Sequence, residues 1–280
     1  MKSGTRDFAL VTRHIRKMRG GSQPILVQAS DGMLYVVKFN NNLQGSHVPF
    51  NESIGTEIYR ACSLPTPSWK ALLVTKSFID HNPDCWMNTV NGKIRPEPGL
   101  CFGSQYLGKC GARTLEILPG SSFGRVLNKV DFWLAWIIDI CAEHTDRRQA
   151  IFVEDPLGWL GASFIDHGHL FAGPNGGQVA HLLAPCNLDL RIYQGLSSFQ
   201  IFRRLNSLKS LDVDQLWETV VALPDEWKSV STISGLGRCL GRLSQPTLLR
   251  STLEKIIDYH VREDKRENRT LPQPVLRVGL

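Results

Sequence analysis

His144-Thr145-Asp146-Arg147-Arg148-Gln149 and, 20 positions on from Asp146, Ile165-Asp166-His167-Gly168 decide how this chain is read. Each aspartate follows an apolar run. Before Asp146, the spacing of Phe132, Trp133, Trp136, Ile137, Ile140 and Cys141 predicts a buried helix over 131–142, and Asp166 closes Ala162-Ser163-Phe164-Ile165. Between them, 150–153 and 159–165 read as two strands joined by a turn at 154–158, so one hairpin presents a carboxylate at each end. An aspartate in a loop beside rigid packing suits a proton acceptor for a substrate hydroxyl. Taken alone, the first segment is also an ordinary polar loop ending a helix.

Upstream, 11–18, 25–29 and 33–39 read as three strands, the last two joined by Ser30-Asp31-Gly32, since Asp-Gly between β-prone runs is a hairpin signal. The third strand carries Lys38 inside an apolar run, where a lysine requires a partner. Glu52 lies 14 residues further on, in the first turns of a helix expected over 48–62. At about 4 Å and an effective dielectric near 20, the Lys38–Glu52 attraction is roughly 4 kcal/mol before desolvation is subtracted. The alternative for Glu52 is a solvated carboxylate favoured by the helix dipole. Ahead of the hairpin, Gly20-Gly21-Ser22 lets backbone N–H groups approach an anion, with a hydroxyl added; such a pair of glycines is also simply a tight turn.

The remaining chain gives a coarser outline. A strand is expected at 71–74 and irregular backbone over 81–98; the glycine-punctuated stretch 99–108 suits a connection between two lobes, with the boundary near 105. Residues 171–185 lack Asp, Glu, Lys and Arg and suit a mobile loop beside a site. Helices are expected at 213–223, 226–229 and 246–260, with 262–269 a solvated mixed-charge run.

At 280 residues, 42% hydrophobic and 21% charged, the chain can bury one sizeable core or two modest ones. A net charge of +6 and pI near 9.0 favour anionic partners, a nucleotide as readily as a nucleic acid. No zinc ligand set, basic helix or aromatic stacking platform supports nucleic acid. Seven cysteines without a C-x-x-C pair suit reduced thiols in a cytoplasmic protein. Phe8-Ala9-Leu10-Val11 is too short for a signal segment, and the longest apolar block, Phe132 to Ile138, is well below the roughly 20 residues of a membrane span. His167 and His169 stand without a third ligand and read as structural.

Glycine turn, strand lysine, helical glutamate, H-x-D and D-x-G occur here in the order of a protein kinase-like fold. The wording resembles the HipA-like kinases at Gly20-Gly21-Ser22-Gln23-Pro24, Tyr35-Val36-Val37-Lys38-Phe39, Asn51-Glu52, Phe102-Gly103-Ser104, Asp146-Arg147-Arg148 and Ile165-Asp166-His167-Gly168, over roughly residues 10 to 195. The resemblance implies an α+β, two-lobed kinase fold that uses ATP and Mg²⁺. It would have an N-terminal antiparallel sheet with one helix (1–105), a mostly helical C-terminal lobe (106–270) and a tail (271–280). In it Gly20, Gly21 and Ser22 would cover the phosphates and Lys38 would hold the α/β-phosphates, oriented by Glu52. Asp146 would be the base or hydroxyl-orienting group and Asp166 a metal ligand. Family members phosphorylate protein hydroxyls.

One position departs from that pattern. Five residues after Asp146, where the resemblance implies a metal-binding Asn, the chain has Ile151, which offers no side-chain oxygen; Gln149 is the nearest amide. The expectation is therefore an ATP-dependent kinase acting on a protein or small-molecule hydroxyl, with Gln149 reaching the metal. The competing expectation is a nucleotide-binding pseudokinase or regulatory interaction module.

Overall fold

In the computed structural model the described residues are 8–108, 113–176 and 189–270. Five strands, β1 (Phe8–Lys17), β2 (Ile25–Ala29), β3 (Leu34–Lys38), β4 (Trp69–Val74) and β7 (Gly99–Gln105), close into a barrel in the order β1-β2-β3-β7-β4. Ala9, Val11, Ile25, Val27, Val37, Leu72 and Cys101 fill its interior. The β2–β3 hairpin forms as expected, turning at Gly32 with φ +79°. The sheet is not purely antiparallel: β1 runs parallel to β4, pairing Phe8, Ala9 and Leu10 with Ala71, Leu72 and Leu73. That pairing closes the barrel and removes its open edges.

The stretch expected as a connection is instead the barrel strand β7, paired with both β3 and β4. Its Gly103 is a packing requirement rather than a break, because a Cβ there would lie 2.3 Å from Leu72 Cδ1. The segment expected to be irregular holds a short hairpin, β5 (Met87–Thr89) and β6 (Gly92–Ile94), after a short helix α2 (Lys76–His81), so the barrel carries more than one helix.

Helix α1 (Val48–Ala61), with proline at its start, buries almost its whole circumference. Phe50, Ile54 and Ile58 join a second, larger apolar cluster built on α3 (Val130–Cys141), whose Phe132, Trp136, Ile137 and Ile138 are fully buried. A three-stranded sheet, β8 (Thr114–Leu115), β9 (Gln149–Glu154) and β10 (Leu160–Ile165), lies against this cluster, and β9–β10 is the hairpin the sequence predicts.

The helices α4 (Ser198–Leu205), α5 (Val213–Ala222), α6 (Val230–Leu243) and α7 (Pro246–Thr270) complete the fold. Two corrections fall here. Residues 225–227 form only a 3-10 turn, and the helix starts after them as α6, where Leu236, Leu240 and Leu243 face the core among glycines. Gly235 accommodates Phe171, whose Cβ would stand 2.7 Å from a Cβ at that position. The backbone of α7 continues to Thr270, through the run expected as a solvated tail. Most of the expected loop at 171–185 and all of 271–280 lie outside the described residues. Among the described residues no helix is long and apolar enough to cross a membrane.

Candidate active site

The end of β3 places Lys38 under the barrel, where it is 8% exposed, and α1 brings Glu52, 2% exposed, against it. Lys38 Nζ donates to Glu52 Oε1 and, at 2.6 Å, to Asp166 Oδ1. One ammonium thus bridges two carboxylates, one of them 128 residues further along the chain than the lysine. Burial pulls the Lys38 pKa down, but the charges of Asp166 and Glu52 outweigh it and raise it. Burial pushes the Asp166 carboxyl up, yet the Lys38 ammonium holds it well below the usual range, so Asp166 stays ionised. Glu52 is raised, by burial first and by the Asp166 charge.

Asp166 leaves β10 with φ +62°, a left-handed conformation that costs a non-glycine residue about 1–2 kcal/mol. Several bonds hold it there. Glu52 Oε2 accepts from His167 N at 3.0 Å, and the Asn51 amide donates to Gly168 O (2.9 Å) and Leu170 O (2.7 Å). Gly55 of α1 allows the approach, since a Cβ there would fall 2.5 Å from His167 Cβ and from Leu170 Cδ1.

Asp146 sits beyond α3 in a loop tied to the Asp166 segment by Thr145 N→His169 O (3.0 Å) and Phe171 N→Ala142 O (2.6 Å). Its exposed carboxylate accepts from Arg147 N at 2.7 Å and has no hydrogen bond to Lys38 or Asp166 among the described residues. The three nevertheless line one cavity of about 920 Å³, together with Gly20, Gly21, Ser22, Glu52, Gln149 and Ile151. Gly20 takes φ +124°, and a Cβ on Gly21 would meet the Gln44 amide at 3.1 Å. Gln44 in turn lies 3.0 Å from His169 Nε2 and so links the glycine turn to the Asp166 segment. All eight side chains and glycines singled out from sequence therefore reach one cavity wall. Arg16, Arg19 and Arg147 also line it and form no ion pair with a carboxylate among the described residues.

Gln149, the first residue of β9, donates from Nε2 to Asp166 Oδ2 at 2.8 Å, so in this state its amide presents N–H rather than oxygen to that carboxylate. The half-buried Ile151 faces the same cavity two residues on. Asp166, and Gln149 with its amide turned over, are the residues whose oxygens could hold a hard cation such as Mg²⁺. His167 is no ligand of this kind: its ring packs 4.5 Å from that of Tyr59, and burial and the Arg148 charge hold its pKa well below 6.5.

Sequence reasoning missed a buried polar network behind Asp166. The Arg148 side chain is 0% exposed and pairs doubly with Asp139, at 2.9 Å from Nε and 2.5 Å from Nη2. Tyr59 donates to Asp139 Oδ1 at 2.8 Å. The available signal was Asp139 itself, a lone carboxylate between Ile138 and Ile140 that needs a buried cation. His144 is half-buried, but neither ring nitrogen reaches solvent or a partner. Burial, then Arg148, lowers its pKa to about 4.

No protein-family model and no curated protein sequence matches the chain. Among solved structures it is similar to the Golgi casein kinase, at 13% identity over 91% of this chain and 75% of that one, with a TM-score of 0.50. It is also similar to the Helicobacter pylori proinflammatory kinase CtkA, at 12% identity over 94% of this chain and 97% of that one, with a TM-score of 0.53. At such identities the likeness carries the fold alone. The protein has an α+β, protein kinase-like fold.

Proposed function

We propose that the protein is an ATP-dependent phosphotransferase of HipA-like type, moving the γ-phosphate to a hydroxyl of a protein or small molecule. The observation that carries this is Lys38, bonded at once to Glu52 and Asp166 on the wall of a cavity shared with the glycine turn and Asp146. In this reading the barrel with α1 (1–105) forms one lobe, 106–270 the other, and the nucleotide lies between them. Gly20, Gly21 and Ser22 cover the phosphates with backbone N–H groups, and Lys38, held by Glu52, meets the α/β-phosphates as a fixed positive charge. Asp166 and, with its amide turned over, Gln149 would hold Mg²⁺, which would supply positive charge against the phosphates. Asp146, exposed and clear of the Lys38 ion pairs, orients the acceptor hydroxyl and takes its proton. Arg16, Arg19 and Arg147 supply positive charge suited to a polyanion.

The direct test is transfer of labelled γ-phosphate from ATP with Mg²⁺ to the protein itself and to a cell extract, beside Asp146→Ala and Asp166→Ala. The expected result is transfer by the parent and loss in both variants. Absence of ATP binding would sink the proposal. A second reading, a nucleotide-binding pseudokinase, is favoured by one observation: Ile151 faces the cavity where a metal-binding amide is expected, and Gln149 turns its N–H to Asp166. Mg²⁺-dependent ATP binding without transfer to any acceptor would select it. Unchanged Mg²⁺-dependent affinity in Gln149→Ala would remove Gln149 from the metal site.

A further inference from the structure

Asp166 is held in a strained backbone conformation, and beside Asn51 and Glu52 a fully buried side chain, that of Arg148, takes part in holding it. Arg148 Nη1 donates to Ile165 O at 2.9 Å and to Asp166 O at 3.2 Å. These carbonyls belong to the two peptide units on either side of the Asp166 Cα, so fixing both planes fixes φ and ψ of that residue. The remaining guanidinium nitrogens are taken by Asp139, and the Arg148 Cζ lies 4.9 Å from the centre of the Tyr59 ring. Tyr59 closes the network through Asp139 and belongs to α1, the helix that also carries Glu52. Three elements, α1, α3 and the start of the β9–β10 hairpin, thus meet at one buried guanidinium. Only a planar fork serves this set of acceptors; an ammonium is a point donor that reaches neither two carbonyls and a carboxylate edge nor the ring face together.

We infer that Arg148 is the positioning residue of this site: neutralised by Asp139, it sets the Asp166 backbone, and through Tyr59 it ties that setting to the helix bearing Glu52. The inference rests on the proposed phosphotransferase reading for its consequence, metal affinity, but its structural part stands alone. The partly buried Arg204–Asp131 pair is the natural comparison. Arg204 Nε lies 2.5 Å from Asp131 and Nη2 donates to Ser63 O at 2.7 Å, and neither residue lines the cavity.

The experiment uses the full chain as Arg148→Lys, Tyr59→Phe and Arg204→Lys. Two quantities are read: hydrogen exchange at 165–170 without ligand, and the Mg²⁺ concentration giving half-maximal binding of a fluorescent trinitrophenyl-ATP. Arg148→Lys is expected to speed exchange at 165–170 and to raise the half-saturating Mg²⁺ about tenfold or more, the usual size of an outer-shell effect on metal affinity. Tyr59→Phe should move both in the same direction by a smaller factor. Arg204→Lys should lower the melting temperature and move neither. Unchanged exchange and an unchanged Mg²⁺ requirement in Arg148→Lys, or equal shifts in Arg204→Lys, would overturn the inference. If Arg148→Lys fails to fold, Tyr59→Phe decides alone, and wild-type values there would overturn it. If the parent binds no nucleotide, the functional reading fails and the exchange data by themselves decide the positioning role.

Discussion

Lys38 divides one ammonium between Glu52 and Asp166, while Glu52 spends its other oxygen on His167 N. Both Glu52 oxygens therefore face donors. In Glu52→Gln the amide nitrogen must oppose one of those donors, leaving a buried mismatch worth about 1–3 kcal/mol. Chemical denaturation should register that loss, and ATP affinity should fall about tenfold, since Lys38 then leans on Asp166 alone. A second residue-level prediction concerns acid. His144 is neutral in the fold with its pKa lowered to about 4, whereas in the unfolded chain it titrates near 6.5. Its contribution is complete above pH 6.5, because there neither state binds a proton. As pH falls from 6.5 toward 4 the unfolded chain gains the proton first, and about 3 kcal/mol drains away. Melting temperature measured from pH 7 to pH 4 should decline over that window, and His144→Asn should flatten the decline. Lys38 was legible because a lysine in an apolar strand has few tolerable explanations. For Glu52 the sequence left two readings open, and only the contact decides between them. Arg148 was illegible because it stands in a polar run, Asp146-Arg147-Arg148-Gln149, that looks solvated until the fold buries one member of it.

At the scale of elements, α1 and the segment after β10 behave as one part. Asn51 and Glu52 bind that segment by hydrogen bonds, and Gly55 lets it come into contact. A Cβ at Gly55 would meet His167 Cβ at 2.5 Å, an atom with no free rotation to escape by. Gly55→Ala should therefore destabilise by about 1–3 kcal/mol despite alanine's better helix propensity, and should weaken ATP binding by moving Glu52 from Lys38. Gly237→Ala in α6, where a Cβ meets nothing within 4 Å, should instead be neutral or stabilising by up to about 1 kcal/mol. Denaturant midpoints of the two variants test the contrast. The same glycines show why some elements were misread. A glycine marks a break only when its backbone needs one; Gly103 and Gly235 are in regular structure and exist to admit Leu72 and Phe171. Strands and helices with dense apolar spacing, such as α1, α3 and β10, carry their own signal; β7 and α6 depend on neighbours far along the chain.

Over the whole molecule, barrel closure is the feature least accessible to sequence, because it joins residues 8–10 to 71–73 and no local pattern encodes that partner. The α+β composition and the order of elements were accessible, since each arises from short-range periodicity. The two apolar clusters are not independent bodies: α1 packs into the larger one while its Glu52 holds Lys38 of the barrel, and Trp227 donates to Leu100 O of β7 at 3.1 Å. Unfolding should therefore be a single transition, with tryptophan fluorescence and far-ultraviolet circular dichroism coincident. A ligand bound between barrel and helices then stabilises the entire chain, by about 2.7 kcal/mol at a hundredfold excess over its Kd. With ATP and Mg²⁺ the expected outcome is an upward shift of that one transition in the parent and in Asp146→Asn. Asp166→Asn should lose the Mg²⁺-dependent part, because it removes the carboxylate charge that Lys38, more than any other group, holds ionised. Asp146→Asn should keep the shift while losing phosphate transfer, since Asp146 takes no part in the Lys38 ion pairs. A shift of equal size without Mg²⁺ would place the nucleotide away from Asp166 and overturn the assigned site. A shift without transfer in the parent would leave the site intact and assign the protein to nucleotide sensing.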